Sequence, residues 1–261
     1  MRARFAVVLA LPLLLLAPAF ASGRSEGSDD GQARVGQVID GDTLVLDDGR
    51  QVRLVGIQAP KLPLGRPKFP TWPLADEAKA ALERLTLNRE VRLRLGLRPT
   101  DRHNRALAHL YDADGVWIQG AMLQAGLARV YTFSDNRALA AEMLDLEKAA
   151  RAGRRGIWAE PFYRVRRVTE TPQSIDTFQL VEGRPRKVDK VAGQIYLNFG
   201  SDWRDDFTIA IPAAGAKLFA QAGIKPESLA GRALRVRGWI KSRNGPLIEA
   251  THPEQIEVLG E

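Results

Sequence analysis

The stretch VGQVIDGDTLVLDDGRQVRLVGI, residues 35–57, decides the fold. Val35, Gln37 and Ile39 keep a period of two and run into Asp40-Gly41-Asp42. Thr43 to Leu46 is rich in strand formers, Asp47-Asp48-Gly49 is a turn signal, and Gln51 to Ile57 is extended again. Alternation broken by short Asp/Gly turns predicts a hairpin or meander.

Beyond it, residues 60–73 hold five prolines in 14 positions, which forbids regular structure and predicts a rigid loop. The period then changes. Ala78, Ala81, Leu82 and Leu85 follow i, i+3, i+4, i+7, so Asp76–Leu87 is an amphipathic helix. Glu90 to Leu97 alternates, with Val91, Leu93 and Leu95 opposite Arg92 and Arg94, and Ala106–Asp112 is a further strand. Helices are expected over Ile118–Ala125 and Leu139–Ala152, each followed by a glycine (Gly126, Gly153) where a C-terminal cap belongs. Five strands interrupted by one helix, then more helices, predict a mainly β, α+β domain over residues 34–160, an OB-type five-stranded barrel with packed helices. Residues 161–261 open with a basic linker or first strand over Tyr163–Glu170. The alternating runs at Ile195–Phe199, Phe207–Ile211 and Leu234–Ile240 follow, with a short helix over Ala213–Ala222. This predicts a second, small β-rich domain of OB-like order.

The amino terminus has a different character. Arg2 and Arg4 precede an apolar run from Phe5 to Ala17, and Ala19-Phe20-Ala21 follows. This describes a signal peptide over residues 1–21, too short for a comfortable span, and an exported, periplasmic or secreted product without a later membrane segment. Ser22 to Ala33 is small, polar and Gly-rich, and is expected to be a flexible leader. The 261-residue chain has no cysteine, which excludes disulfides, thiolate metal sites and thiol nucleophiles. Three scattered histidines do not make a multi-histidine zinc site. A net charge of +7 favours polyanionic partners.

Four stretches carry chemistry: Val38-Ile-Asp-Gly-Asp-Thr43, Val52-Arg-Leu-Val-Gly-Ile57, Thr100-Asp-Arg-His-Asn-Arg105 and Ala125-Gly-Leu-Ala-Arg-Val130. With the closing Gly156-Ile-Trp158, their order and spacing resemble the staphylococcal nuclease (thermonuclease) family over about Val35 to Trp158. The resemblance implies an OB-type barrel with three helices and calcium-assisted hydrolysis of DNA and RNA phosphodiesters. Carried over by position, Asp42 matches the metal aspartate, with Asp40 as a neighbour behind it. Arg53 and Arg105 match the two arginines that clamp the scissile phosphate. Arg102 falls on a basic position suited to a terminal phosphate, and Tyr131 and Phe133 fall near the aromatics that face the nucleotide.

The chain departs from the family where the family reads Asp-Thr-Pro-Glu or Asp-Ala-Pro-Glu. Here the residues are Gln58-Ala59-Pro60-Lys61. The second metal aspartate is replaced by a neutral amide, and the general base by an ammonium that cannot accept a proton. Loss of a general base costs roughly 10²- to 10⁴-fold in rate, and loss of a carboxylate weakens calcium binding. Calcium is therefore expected to bind weakly if at all. Asp76 or Glu77 could bring a replacement carboxylate, although acidic residues also suit the start of a helix. Lys61 could instead join Arg53 and Arg105 in holding a phosphate.

In the second domain Arg235, Arg237, Trp239 and Lys241 share one side of a strand, a pattern suited to a single-stranded nucleic acid. Arg184, Arg186, Lys187 and Lys190 add a basic cluster. His103, His109 and His252 carry no catalytic signal. Three readings stand open. One is an exported binder of nucleic acid (DNA or RNA) or another phosphate polyanion with cleavage weak or lost. The others are an active calcium-dependent nuclease with a rebuilt site and a non-catalytic envelope interaction module.

Overall fold

The computed structural model describes residues 28–202 and 204–260. The signal peptide and the start of the leader lie outside the described residues.

The first domain comprises β1 (Asp29–Asp40), β2 (Thr43–Leu46), β3 (Gln51–Leu54), β4 (Ile57–Gln58), α1 (Ala75–Thr86), β5 (Glu90–Thr100), β6 (Ala106–Tyr111), α2 (Ile118–Gln124), β7 (Arg129–Val130) and α3 (Ala140–Ala152). Five strands close into a barrel in the order β1-β2-β3-β6-β5, and β4 pairs with β7 outside it. The β3–β6 pair is parallel, with Val52 opposite Ala106 and Leu54 opposite Ala108. Val35, Leu44, Val52, Leu54, Leu93 and Leu110, alternate residues of their strands, fill the interior.

The turn that opens this barrel is set locally. Asp42 donates its backbone N–H to Asp40 Oδ1 at 3.0 Å, the side chain mimicking a backbone turn. Gly41 is required by packing, because a Cβ there would lie 2.7 Å from Ala59 Cβ and 2.8 Å from Ala78 Cβ on α1. The Pro-rich segment between β4 and α1 is irregular, as its composition dictates. At the far end Gly126 and Gly156 face each other at φ +70° and +51°, so closely that any side chain would strike the opposite backbone.

The fold begins earlier than Arg34. Asp29, Gln32 and Ala33 pair with Arg94, Arg92 and Val91 of β5, so these residues belong to β1 rather than to a leader. Pairing with a neighbouring strand satisfies their backbone whatever their polarity.

The second domain comprises β8 (Arg166–Arg167), β9 (Phe178–Gly183), β10 (Lys187–Val191), β11 (Gln194–Asn198), β12 (Thr208–Ile211), α4 (Ala213–Gln221), β13 (Leu234–Ser242), β14 (Pro246–Glu249) and β15 (Ile256–Val258). Its strands run β10-β11-β12-β14-β13-β9. Only Arg184-Pro185-Arg186 separates β9 from β10, so the two act as halves of one broken strand. The strand order of the first barrel is thereby repeated, including its one parallel pair (β12–β14) and a helix before the fourth strand. The expected strand over Tyr163–Glu170 reduces to β8 between short 3₁₀ turns. Val181, Leu197, Ile209, Phe219, Leu234 and Ile248 form a second core.

The two domains are joined by polar contacts. Arg237 of β13 reaches across to Glu147 of α3, with Nη1 to Oε2 and Nη2 to Oε1 both at 2.9 Å, and also donates to Glu257. Arg151 bridges the same two glutamates at 2.8 and 3.2 Å. Arg137 forms a bidentate pair with Glu254. Thr132 and His252 are hydrogen-bonded at 2.8 Å.

Candidate nucleic-acid site

A cleft of about 390 Å³ opens on the first barrel, lined among others by Arg53, Arg98, Arg102, Arg105, Tyr131 and Phe133. Its floor comes from β3 and the start of β4, and its rim from the loop between β5 and β6. That loop is organised by Asp101, whose Oδ1 accepts the backbone N–H groups of His103 (2.8 Å) and Arg105 (3.0 Å). Asp101 Oδ2 also holds Arg105 at 2.7 Å. These bonds keep the Asp101 carboxyl below its usual pKa despite the cost of partial burial. Arg102 is exposed, and Arg98 pairs loosely with Asp135 at 3.3 Å. Five basic side chains, counting His103, and two aromatic rings line one cavity. This suits a phosphate-bearing strand with exposed bases.

Beneath the cleft lies a buried charge cluster. Lys61 Nζ is 2.7 Å from both Asp42 Oδ1 and Asp42 Oδ2, and 3.2 Å from Asp40 Oδ2. The three protons of its ammonium therefore meet three carboxylate oxygens. Arg53 Nη2 lies 3.2 Å from Asp42 Oδ2, and the guanidinium also donates to the carbonyls of Asp42, Leu54 and Ile57. The backbone N–H of Ala59 donates to Asp42 Oδ2 at 2.7 Å. Burial alone would raise the pKa of Asp42, but Arg53 and Lys61 hold it well below the carboxylate range. Burial and the charge of Asp42 push Asp40 the other way.

Gln58 takes no part in this cluster. Its Oε1 accepts Nε and Nη2 of Arg129 at 3.0 and 2.7 Å. Arg129 is buried among the rings of Phe178, Trp72 and Tyr163, its guanidinium carbon 4.6 to 5.8 Å from their centroids. Burial lowers its pKa to about 10. Sequence reasoning did not single out Arg129, because its partners come from four separate segments.

A staphylococcal nuclease homologue family profile matches residues 51–160. Thermonuclease from Staphylococcus intermedius is 30% identical over 127 residues, which cover 48% of this chain and 74% of that protein. The chain belongs to the staphylococcal nuclease family. Thermonuclease from Staphylococcus hyicus is 27% identical over 156 residues, 59% of this chain and 90% of that protein. Protein ParB from Escherichia coli is 34% identical over 175 residues, 60% of this chain and 84% of that protein. A nucleic-acid-related, nuclease-type domain is thus established for the first barrel.

Members of the staphylococcal nuclease family use calcium, and the residues present here do not fit it. Calcium takes six to eight oxygen ligands. Both oxygens of Asp42, the aspartate that the resemblance matches to a metal ligand, are engaged by the Lys61 ammonium, and the Gln58 oxygen is turned to Arg129. Asp76 and Glu77 lie in the first turn of α1, and among the described residues neither forms a hydrogen bond or ion pair with this cluster. Among the described residues no group of three acidic or histidine side chains could hold a metal ion.

Two expectations are corrected. Lys61 is not free to hold a phosphate, because its ammonium is saturated by Asp42 and Asp40. Arg235 and Arg237 are not a nucleic-acid face. Arg235 pairs with Glu182 and Glu257, and Arg237 is only 2% exposed between Glu147 and Glu257. Trp239 and Lys241, on the same strand, remain exposed. The other basic cluster does not act as a unit: Arg184 donates to the Gly231 carbonyl, Lys187 pairs with Asp189, and Lys190 lines a separate cavity.

Proposed function

We propose that this protein binds nucleic acid strands in the Arg53–Arg105 cleft without the calcium-dependent phosphodiester cleavage of its family. The observation that carries this reading is the Lys61 ammonium seated 2.7 Å from both oxygens of Asp42. A cation needed for charge balance is built into the chain, so Asp42 is neutralised without a metal. The same residue stands where the family has its general base, and an ammonium bonded to two carboxylates cannot take a proton from water. The cleft above keeps Arg102, Arg105, Tyr131 and Phe133, which supports retained binding of phosphates and bases.

Export belongs to the same proposal and rests on the Arg2–Ala21 pattern alone. Amino-terminal sequencing of the protein recovered outside the cytoplasm tests it, with cleavage after Ala21 expected.

The deciding experiment is a cleavage and binding assay on single-stranded and plasmid DNA and on RNA. It is run with calcium or chelator, beside Asp42→Asn. The expected result is salt-sensitive binding that ignores calcium, with no calcium-dependent cutting. Robust cutting that requires calcium and disappears in Asp42→Asn would overturn the reading in favour of a rebuilt nuclease. Absence of salt-sensitive binding would leave an interaction module instead.

A further inference from the structure

We propose that Trp239 and Lys241 of the second barrel extend the strand-binding cleft of the first, so that one single-stranded nucleic acid runs across both domains. This rests on the binding function proposed above and names its second half. Neither residue lies within the matched family region, which ends at residue 160.

The two rings of the cleft are not its end. Phe133 stands edge-on to Tyr131, their centroids 4.9 Å apart. Tyr131 stands edge-on to Phe178 of β9, also at 4.9 Å, and Phe178 lies 6.5 Å from Trp239. Trp239 Nε1 donates to the hydroxyl of Tyr131 at 3.0 Å, so the tryptophan is adjacent to the cleft aromatic itself. The result is a continuous aromatic track from Phe133, 52% exposed, to Trp239, 42% exposed, crossing the domain boundary. Its two ends are open and its middle is packed, so the exposed rings are held rigidly.

Burial of Arg237 explains why this position is fixed. Arg237 lies two residues before Trp239 on the same side of β13, and its pairing with Glu147 anchors that strand against α3. The large aromatic is thereby left at the mouth of the cleft instead of in a core. Two residues further on, the Lys241 ammonium is exposed and has no ion pair or hydrogen bond among the described residues. A ring followed by a free cation, continuing from a cleft lined by Arg98, Arg102 and Arg105, is the arrangement that stacks a base and meets the next phosphate. The occupant is a single strand because a duplex keeps its base faces stacked on one another and cannot offer them to Trp239.

The test compares two probes by fluorescence anisotropy and competition. One is thymidine 3′,5′-bisphosphate, a single nucleotide with one base to stack and no following strand. The other is a single-stranded oligothymidylate of about twenty nucleotides, long enough to cover two barrels of this kind. Trp239→Ala is expected to weaken the oligonucleotide about tenfold and leave the bisphosphate unchanged. Trp239→Phe keeps a stacking ring and is expected to retain most of the affinity. Lys241→Ala is expected to reduce the salt slope of oligonucleotide binding by about one.

The proposal is overturned if Trp239→Ala leaves oligonucleotide binding intact. It is also overturned if both probes weaken equally, or if Trp239→Phe behaves as Trp239→Ala, since either would mean that Trp239 acts only by holding Tyr131. Failure of the wild type to bind the oligonucleotide would overturn the function proposed above as well, which separates the two failures. Thermal melting of each variant confirms folding, and if Trp239→Ala misfolds, an unchanged salt slope in Lys241→Ala overturns the proposal.

Discussion

The Lys61 ammonium lies 2.7 Å from each carboxylate oxygen of Asp42, an internal ion pair at the aspartate that the sequence resemblance matches to the family's metal ligand. It balances the buried Asp42 charge with a cation carried by the chain itself. That cation comes from the irregular segment that directly follows β4.

Removing that ammonium is expected to be costly. Lys61→Met leaves Asp42 fully buried with Arg53 as its remaining charged partner, and loses about 3 kcal/mol of stability. Urea denaturation measures it. A change below about 1 kcal/mol would mean that Arg53 alone neutralises Asp42.

Lys61→Glu should create a calcium requirement. Asp40, Asp42 and the introduced carboxylate would then repel one another in a buried site, and a divalent cation would relieve that repulsion. Thermal melting of the variant should rise with millimolar calcium, while the wild type stays unaffected. No calcium response in the variant would show that the metal position has closed.

Gln58 is expected to act through Arg129 and not through a metal. Gln58→Met removes both hydrogen bonds to a buried guanidinium and costs roughly 2–3 kcal/mol. Gln58→Asp instead pairs directly with Arg129 and should be tolerated without gaining calcium affinity. Calorimetric calcium titration of that variant decides between the two roles.

Acid should loosen the junction between the domains through His252. Burial lowers its pKa to about 4, between Thr132 and Thr251. A histidine depressed in the folded state is neutral there and takes up a proton on unfolding. Its contribution is complete above pH 6.5 and declines as pH falls from 6.5 to about 4, by roughly 3 kcal/mol at most. Stability measured across that window should fall more steeply in the wild type than in His252→Gln.

Arg237 and Arg102 should separate structure from binding. Arg237→Ala leaves Glu147 with Arg151 as its remaining charged partner in a buried junction, with a loss of about 3 kcal/mol. Arg102→Ala, on the exposed rim, should leave the melting temperature unchanged. It should weaken oligonucleotide binding at low salt and reduce the salt slope by about one. Denaturation and salt-dependent binding of the two variants should therefore show opposite patterns.

Much of this molecule is legible along the chain because its signals are local. Strand alternation, the Asp40–Asp42 turn and the period of α1 each depend on residues a few positions apart, and together they specify the first barrel. Gln58 and Lys61 are likewise visible as letters, and their chemistry removes a carboxylate ligand and a base from those two positions. The alternation of β13 also shows that Arg235, Arg237, Trp239 and Lys241 share a side.

What those side chains meet was decided only by tertiary structure. Lys61 turns to Asp42 across 19 residues, Gln58 to Arg129 across 71, and Arg237 to Glu147 across 90. Periodicity defines a face but not what covers it. The helix α3 covers Arg237 and supplies Glu147, whereas Trp239 and Lys241 stay exposed. Burial of a charge is tolerated only where a distant partner arrives to neutralise it, and that arrival is a property of the packed domains, not of any segment read alone.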